Sequence, residues 1–429
     1  MGRGRGLTMG RRPRLPLKGT RVVEFGHIVA GPTAGMILGD MGADVIKVEP
    51  PDAGTPRRPG NQRTGSFFFF NRNKRSVVVD LATPKGHQIA LRLVRRADVL
   101  IENMAPGTMD RLGLGYSTMS RENPRLVYCS LKGYLTGPYQ ARPLMDEPAQ
   151  MAAGLAYMTG PPGRPLRAGA SVVDIGAATY AVIGVLAALL ERQSTGEGQH
   201  VTGGLFETAL FYMGQHMAHA QFSGEPPVSM ATVQTGADRR RLAIYDLFTC
   251  KDERQVFIGI VSDSQWRRFC SVFGMEDLVD DPRLEHNIGR ATEREWLLPR
   301  IAQAVAGWES REVVEILVRA DVTVAPVHTP LTVLEDPHVL SERRTLPSQL
   351  GEATGRLPAL PYESSAYDFS VRRHAPTEPG QHTKEVLLEL GYSAQEAEAL
   401  ARAGVVRGPG LPVAPPGRAS QSEPHRGTT

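Results

Sequence analysis

Between Thr20 and about Arg125, short apolar runs alternate with longer segments whose apolar residues recur every third or fourth position. The runs predict strands at Arg21–Phe25, Asp44–Val48, Ser76–Asp80, Val99–Glu102 and Arg125–Ser130, and the longer segments predict helices over Pro32–Met41 and Pro84–Arg96. Strands separated by helices of about 10–15 residues imply βαβ units on a parallel sheet, and so an α/β protein. Ligands of such sheets gather at the carboxyl ends of the strands, where helix N-termini face anionic groups.

The strongest helical pattern runs from Asp174 to Arg192 and stops at Thr195-Gly196-Glu197-Gly198. Phe206–Met217 continues helical. Residues 223–241 are rich in Pro, Ser, Thr, Gly and Arg and lack periodicity. A hairpin follows at Ile244–Phe248 and Gln255–Ile260, then helices at Ser264–Phe273, Arg290–Val305 and Ser310–Ala320. The pattern gives an extension at 1–16, a large domain from 17 to 222, a linker at 223–243, and a smaller α/β domain at 244–322. The chain then returns to the large domain over 323–406, including Val324–Pro326 and a helix at Thr383–Leu390, and a Pro, Gly, Ser and Arg-rich tail occupies 407–429. Both ends have the composition of disordered segments.

Composition narrows the class. The 429 residues are 41% apolar and 22% charged, as in ordinary globular proteins. The apolar core of the Asp174 helix, Ile175 to Leu190, is short and Ala-rich for a membrane span. The net charge of +4 owes much to six basic residues before position 19, without an acid among them. Such a stretch matches a transit peptide in charge, but Pro13 and Pro16 and the lack of an apolar face favour a plain extension. The expectation is a soluble, cytoplasmic protein, mitochondrial if that stretch is a transit signal, with no membrane or nucleic-acid partner. Cys129, Cys250 and Cys270 are widely spaced and odd in number, which suits a reducing compartment and gives no disulfide framework or zinc site. No P-loop, HExxH or EF-hand pattern occurs, and no metal is expected.

Three stretches carry candidate chemistry. Asp174 opens an apolar helix, where position alone makes an Asp a cap; the macrodipole there favours a carboxylate anion, and an ionised carboxylate beside a thioester is a nucleophile. The segment Glu24-Phe25-Gly26-His27-Ile28-Val29-Ala30-Gly31-Pro32 joins strand to helix with small residues but is not GxGxxG. Asn71-Arg72-Asn73-Lys74-Arg75 is a donor cluster entering a strand, suited either to solvent or to a phosphate. Arg111 and Lys132 are further phosphate candidates.

Taken together these stretches resemble the class III CoA-transferase family. The matching segments are residues 30–32 (AGP), 42–49 (GADVIKVE), 71–76 (NRNKRS), 97–103 (ADVLIEN), 111–116 (RLGLGY), 123–126 (NPRL), 137–139 (GPY), 195–199 (TGEGQ) and 380–383 (GQHT), in family order. The resemblance implies a Rossmann-like large domain that binds CoA, a smaller α/β domain, and an interlocked, ring-like homodimer. It implies Asp174 as the catalytic nucleophile, acylated first as a mixed anhydride and then as an aspartyl-CoA thioester. It also implies CoA contacts at His27, Ile28, Val29, Ala30, Asn71, Asn73, Lys74, Arg75, Asn103, Met104, Arg111 and Lys132. No cofactor is permanently bound; a CoA thioester and a carboxylic acid are the substrates.

Two departures from the family pattern bear on the substrate. No glycine run occurs between residues 222 and 262, where the formyl-CoA member has a gate. Met145 stands where the related acyl-CoA racemase branch has a His, and a thioether is no proton-transfer base. Residues 131–137 (LKGYLTG), Asp146-Glu147 and 157–171 (YMTGPPGRPLRAGAS) look most like mesaconyl-CoA C1–C4 transferases. That resemblance suggests a dicarboxylic or short branched acid, with Met145, Asp146 and Glu147 against the acyl group and a second-carboxylate anchor among Arg142, Arg164 and Arg167. The alternatives are a racemase on the same fold and a CoA-binding protein without turnover.

Overall fold

The computed structural model describes residues 15–51, 64–231 and 242–413. The expected terminal extension and tail fall largely on residues 1–14 and 414–429, and part of the expected linker on 232–241, outside the described residues. The chain divides into two compact units. The first comprises Met1–Ala153, Gly169–Tyr212 and Ser341–Thr429; the second comprises Gly154–Ala168 and Met213–Leu340.

In the first unit the elements run β1 (Arg21–Phe25), α1 (Ala30–Asp40), β2 (Asp44–Glu49), α2 (Thr64–Phe70), β3 (Lys74–Val79), α3 (Pro84–Arg95), β4 (Val99–Glu102), α4 (Thr108–Arg111), α5 (Tyr116–Glu122), β5 (Val127–Lys132) and α6 (Asp146–Ala152). After α7 (Leu155–Thr159), which belongs to the second unit, come α8 (Val172–Thr195), β6 (His200–Gly204) and α9 (Leu205–Tyr212). Strands β1 to β6 form one parallel sheet in the order β3-β2-β1-β4-β5-β6. The C-terminal strand β12 (Val406–Arg407) pairs antiparallel with the β3 edge. This is a doubly wound α/β arrangement whose strand order reverses between β1 and β4.

Alternation along the strands divides the sheet chemically. Val23, Phe25, Ile46, Val48, Val77 and Val79 enter a core with Ile89 and Leu93 of α3 and with Val386, Leu387, Leu400 and Val406 from the C-terminal segment. The opposite face carries Glu24, Lys47 and Lys74, all buried beneath α1. Helix α8 is the element among the described residues long and apolar enough to cross a membrane. At 24 residues it exceeds the stretch read from sequence, adding Val172 and Val173 before Asp174 and Gln193, Ser194 and Thr195 after Arg192. It is instead a sheet-packed helix: Val173, Ala177, Ala178, Ala181, Val182 and Val185 are buried. A Cβ on Gly203 of β6 would lie 2.9 Å from the Ala181 Cβ and 3.0 Å from the Ala177 carbonyl oxygen, so a glycine there lets α8 sit on the sheet edge.

The second unit is built on a three-stranded antiparallel sheet of β7 (Tyr245–Thr249), β8 (Gln255–Gly259) and β9 (Thr323–Pro326). Trp266, Phe269, Leu297, Ile301, Val313 and Leu317 of its helices pack with Val256 and Ile258 of β8. The expectation that Val324–Pro326 returns to the first domain is corrected: Val324 pairs with Ile258, so this segment completes the small sheet. The return begins later, at Ser341, and leads to a hairpin of β10 (Thr345–Leu350) and β11 (Ala353–Pro358).

Candidate active site

Inside the first unit, a cavity of about 1030 Å³ opens at the carboxyl ends of β1, β4 and β5, next to the reversal of strand order. His27, Ile28, Val29 and Ala30 reach it from the β1–α1 loop, and Asn103 and Met104 from the end of β4. Lys132 ends β5; Met145, Asp146 and Glu147 lie at the start of α6; Asp174 lies in the first turn of α8, and all line the same cavity.

The β1–α1 loop is held from two sides. The Asn103 side chain accepts from the His27 N–H (2.9 Å) and donates to the His27 carbonyl (3.0 Å), an amide standing in for a strand ladder. Below, Lys47 Nζ donates to the Gly26 carbonyl at 2.5 Å and Lys74 Nζ to the Pro32 carbonyl at 2.8 Å. Both ammonium groups also meet Glu24, at 2.7 and 2.6 Å. Burial pushes the Glu24 carboxyl up, but the two lysines override it and leave it below the usual range. Burial lowers Lys74 to about 8 despite the attraction of Glu24. The cluster fits only because Gly35 lacks a side chain: a Cβ there would fall 2.0 Å from Glu24 Oε2. The loop itself is strained, since Ile28 takes φ +63°, a left-handed conformation rare for a β-branched residue, and its side chain is exposed at the cavity.

Asp174 does not cap its own helix. The carboxylate of Asp146 does: its Oδ2 accepts from Val173 N–H (2.9 Å) and Asp174 N–H (3.0 Å), and Gln150 Nε2 donates to its Oδ1 at 2.5 Å. Among the described residues no donor meets the Asp174 carboxylate. Burial first, and the nearby Asp146 charge second, push Asp174 up to about 7. Burial and the Asp146 charge thus outweigh the pull of the helix terminus toward the anion. Lys132 Nζ meets Glu102 Oε2 at 2.7 Å and the Met104 carbonyl at 2.9 Å, which places its charge at the cavity wall. Arg142, also on the wall, stacks on Tyr139 at 3.9 Å and meets no acid among the described residues.

Other candidates lie elsewhere. Asn71, Asn73, Lys74 and Arg75 are buried and do not line the cavity. Arg72 and Asn73 bind Asp40, Lys74 binds Glu24, and Arg75 binds Asp44, Glu385 and Glu389. Neither the solvated nor the phosphate-binding reading describes this segment; the partners are internal acids distant in sequence, and Lys74 reaches the site only through the Pro32 carbonyl. Arg111 is exposed on α4, bonded to Thr108. Arg164 and Arg167 belong to the second unit. Sequence reasoning missed Glu102 as the holder of Lys132, and the Ala105–Pro106 wall; Glu102 lay unremarked inside a matching segment, and Ala105 and Pro106 carried no chemical signal.

A doubly wound sheet with a large cavity at its switch point, and with basic, amide and carboxylate side chains on the wall, is the arrangement of an α/β protein that binds a small molecule. The CoA-transferase family III model matches residues 17–383, and the chain belongs to that family: it is an enzyme of the CoA-transferase class. It is 32% identical to the succinate–glutarate CoA-transferase of Agrobacterium fabrum over 390 residues, 87% of this chain and 96% of that one. It is 31% identical to the succinyl-CoA–D-citramalate CoA-transferase of Chloroflexus aurantiacus, covering 88% and 95%. A CAIB/BAIF family protein from Brucella suis superposes with a TM-score of 0.79 at 30% identity, over 88% of this chain and all of that one.

Proposed function

We propose that this enzyme moves CoA between dicarboxylic or short branched carboxylic acids through covalent intermediates on Asp174. The ionised Asp174 attacks the thioester carbonyl; the C–S bond breaks, CoA leaves as the thiolate, and a mixed anhydride remains. The thiolate then attacks the aspartyl carbonyl, the first acid leaves as its carboxylate, and an aspartyl-CoA thioester forms. The acceptor carboxylate reverses the sequence, and no net proton is consumed. The observation that carries this reading is the Asp174 carboxylate itself, half-buried on the wall of a cavity of about 1030 Å³ and free of hydrogen-bond donors among the described residues. Such a group is a stronger nucleophile when ionised than a fully solvated one.

Dicarboxylate use is supported by Arg142, a cation on the cavity wall without an acid partner among the described residues, and by the dicarboxylic acids in the names of the two relatives. Racemisation gains no support, because the exposed Met145 thioether stands on the wall where that reaction requires a base. A homodimer accounts for the exposed apolar residues Tyr180, Ile183 and Leu190 of α8 and Phe211 of α9. The test is borohydride trapping: with succinyl-CoA, mass spectrometry should find the reduced aspartyl adduct at Asp174. Asp174→Ala should abolish the adduct and lower turnover by roughly 10⁴-fold; transfer surviving that substitution rejects the mechanism.

A further inference from the structure

Asp146 lines the cavity, yet both of its oxygens are occupied: one by Val173 and Asp174 N–H groups, the other by Gln150. The sequence suggested that it touches the acyl group, and its bonds instead run into the protein. Its side chain is almost entirely buried, so its charge is poorly screened. An anion at a helix start is ordinarily stabilised by the free N–H groups there. Here a second carboxylate occupies those donors.

We propose that Asp146 is a positioning residue acting through Asp174: it takes the free N–H groups of α8 and holds a fixed negative charge beside the nucleophile, so that the neutral, acylated form of Asp174 is favoured over the free anion. The inference rests on Asp174 being the nucleophile. Acylation converts the carboxylate into an anhydride or thioester, each uncharged at that position, and removes the repulsion from Asp146. Every pH unit by which the repulsion raises Asp174 favours the neutral form tenfold. The other ionisable groups around Asp174 are Glu147 on α6, Glu207 and Tyr212 on α9, and Lys132, His27 and Arg142 on the cavity wall. The first two turns of α1 contribute none. Of all these, Asp146 alone raises Asp174 electrostatically, after burial.

Asp146→Asn keeps an acceptor oxygen for the two N–H groups and removes the charge. Isotope-edited infrared titration of the Asp174 carboxyl, with Asp174→Asn as the blank, should give a midpoint near 7 in the wild type and at least one pH unit lower in the variant. Borohydride-trapped Asp174 adduct formed with succinyl-CoA at pH 8 should fall severalfold in the variant. If the wild type is acylated at Asp174 and the variant matches it in midpoint and occupancy, Asp146 is a cap only and the proposal is overturned. If the wild type is not acylated at Asp174, the nucleophile assignment fails, and this inference with it. Asp146→Ser, which also caps well without charge, serves where the Asn variant does not fold. Should neither fold, the wild-type titration decides: a midpoint near 4 overturns the proposal, as does one near 7 with no shift of the Asp174 band when Asp146 protonates, and one near 7 with that shift supports it.

Discussion

With Asp174 as the proposed nucleophile, one raised carboxyl bears on both rate and stability. Because burial and the Asp146 charge push Asp174 from the usual 3.8 up to about 7, the ionised fraction falls about tenfold per pH unit below that value. Single-turnover acylation should therefore rise with pH and level off above about 8. The stability consequence has the opposite direction. A carboxyl whose folded value lies above its unfolded value binds more protons in the native state, so stability falls as pH rises from about 4 to 7. The full difference corresponds to at most about 4 kcal/mol, and roughly half survives the group's partial contact with solvent. Asp174→Asn should thus be more stable than the wild type in urea at pH 8 by about 2 kcal/mol and equal to it at pH 4. A second residue, Arg142, is the anchor proposed for a dicarboxylate. Arg142→Gln should raise KM for a dicarboxylate acceptor about tenfold and leave a monocarboxylate nearly unaffected; equal effects on both acids would remove its anchoring role. The place of Asp174 on a cavity wall was legible from the matching segments around it. What lay beside it was not: the Asp146 bond spans 28 residues, and nothing in a linear reading distinguishes a carboxylate that caps a helix from one that faces substrate.

At the scale of elements, the site depends on how firmly the β1–α1 loop is held. Lys74→Ala leaves Glu24 with only Lys47 in a buried layer, and loss of one partner from a buried ionic cluster costs about 3–5 kcal/mol. Urea unfolding should show that loss, together with a raised KM for acyl-CoA in whatever remains folded. Asn103→Ala removes two hydrogen bonds to the His27 backbone and should raise KM severalfold with a smaller change in kcat, measured by steady-state kinetics. Elements marked by short, apolar runs between helical segments were legible: β1 and β4 have the bounds that the sequence gives them. Strand β6 was not, because His200-Val201-Thr202-Gly203-Gly204 has neither alternation nor an apolar run, and its glycines make room for neighbours, Gly203 for α8 and Gly204 for Glu207 of α9 and Leu135, rather than following strand preference. The charged run at 71–75 was misread for a related reason. Its partners, Asp40, Glu24, Asp44, Glu385 and Glu389, lie up to 314 positions away, and charge on a chain does not announce what it will meet.

For the molecule as a whole, the exposed Tyr180–Phe211 pair and its neighbours on α8 should be covered by a second copy in solution. Sedimentation should give a dimer, and Ile183→Glu or Phe211→Glu should shift it toward monomer. The order of assembly follows from where the sheet is finished. Strands β1 to β5 are complete by Lys132, yet the core beneath them needs Val386, Leu387, Leu400 and Val406, and the β3 edge stays open until β12 arrives. At about 5–20 residues per second, a ribosome takes on the order of 15–55 s to make the intervening stretch. Throughout that interval the face on which α3 packs lacks its C-terminal cover, and the β3 edge stands unpaired. A chain ending before Val386 should therefore be lost from the soluble fraction rather than merely less active, which comparing soluble and pelleted protein would check.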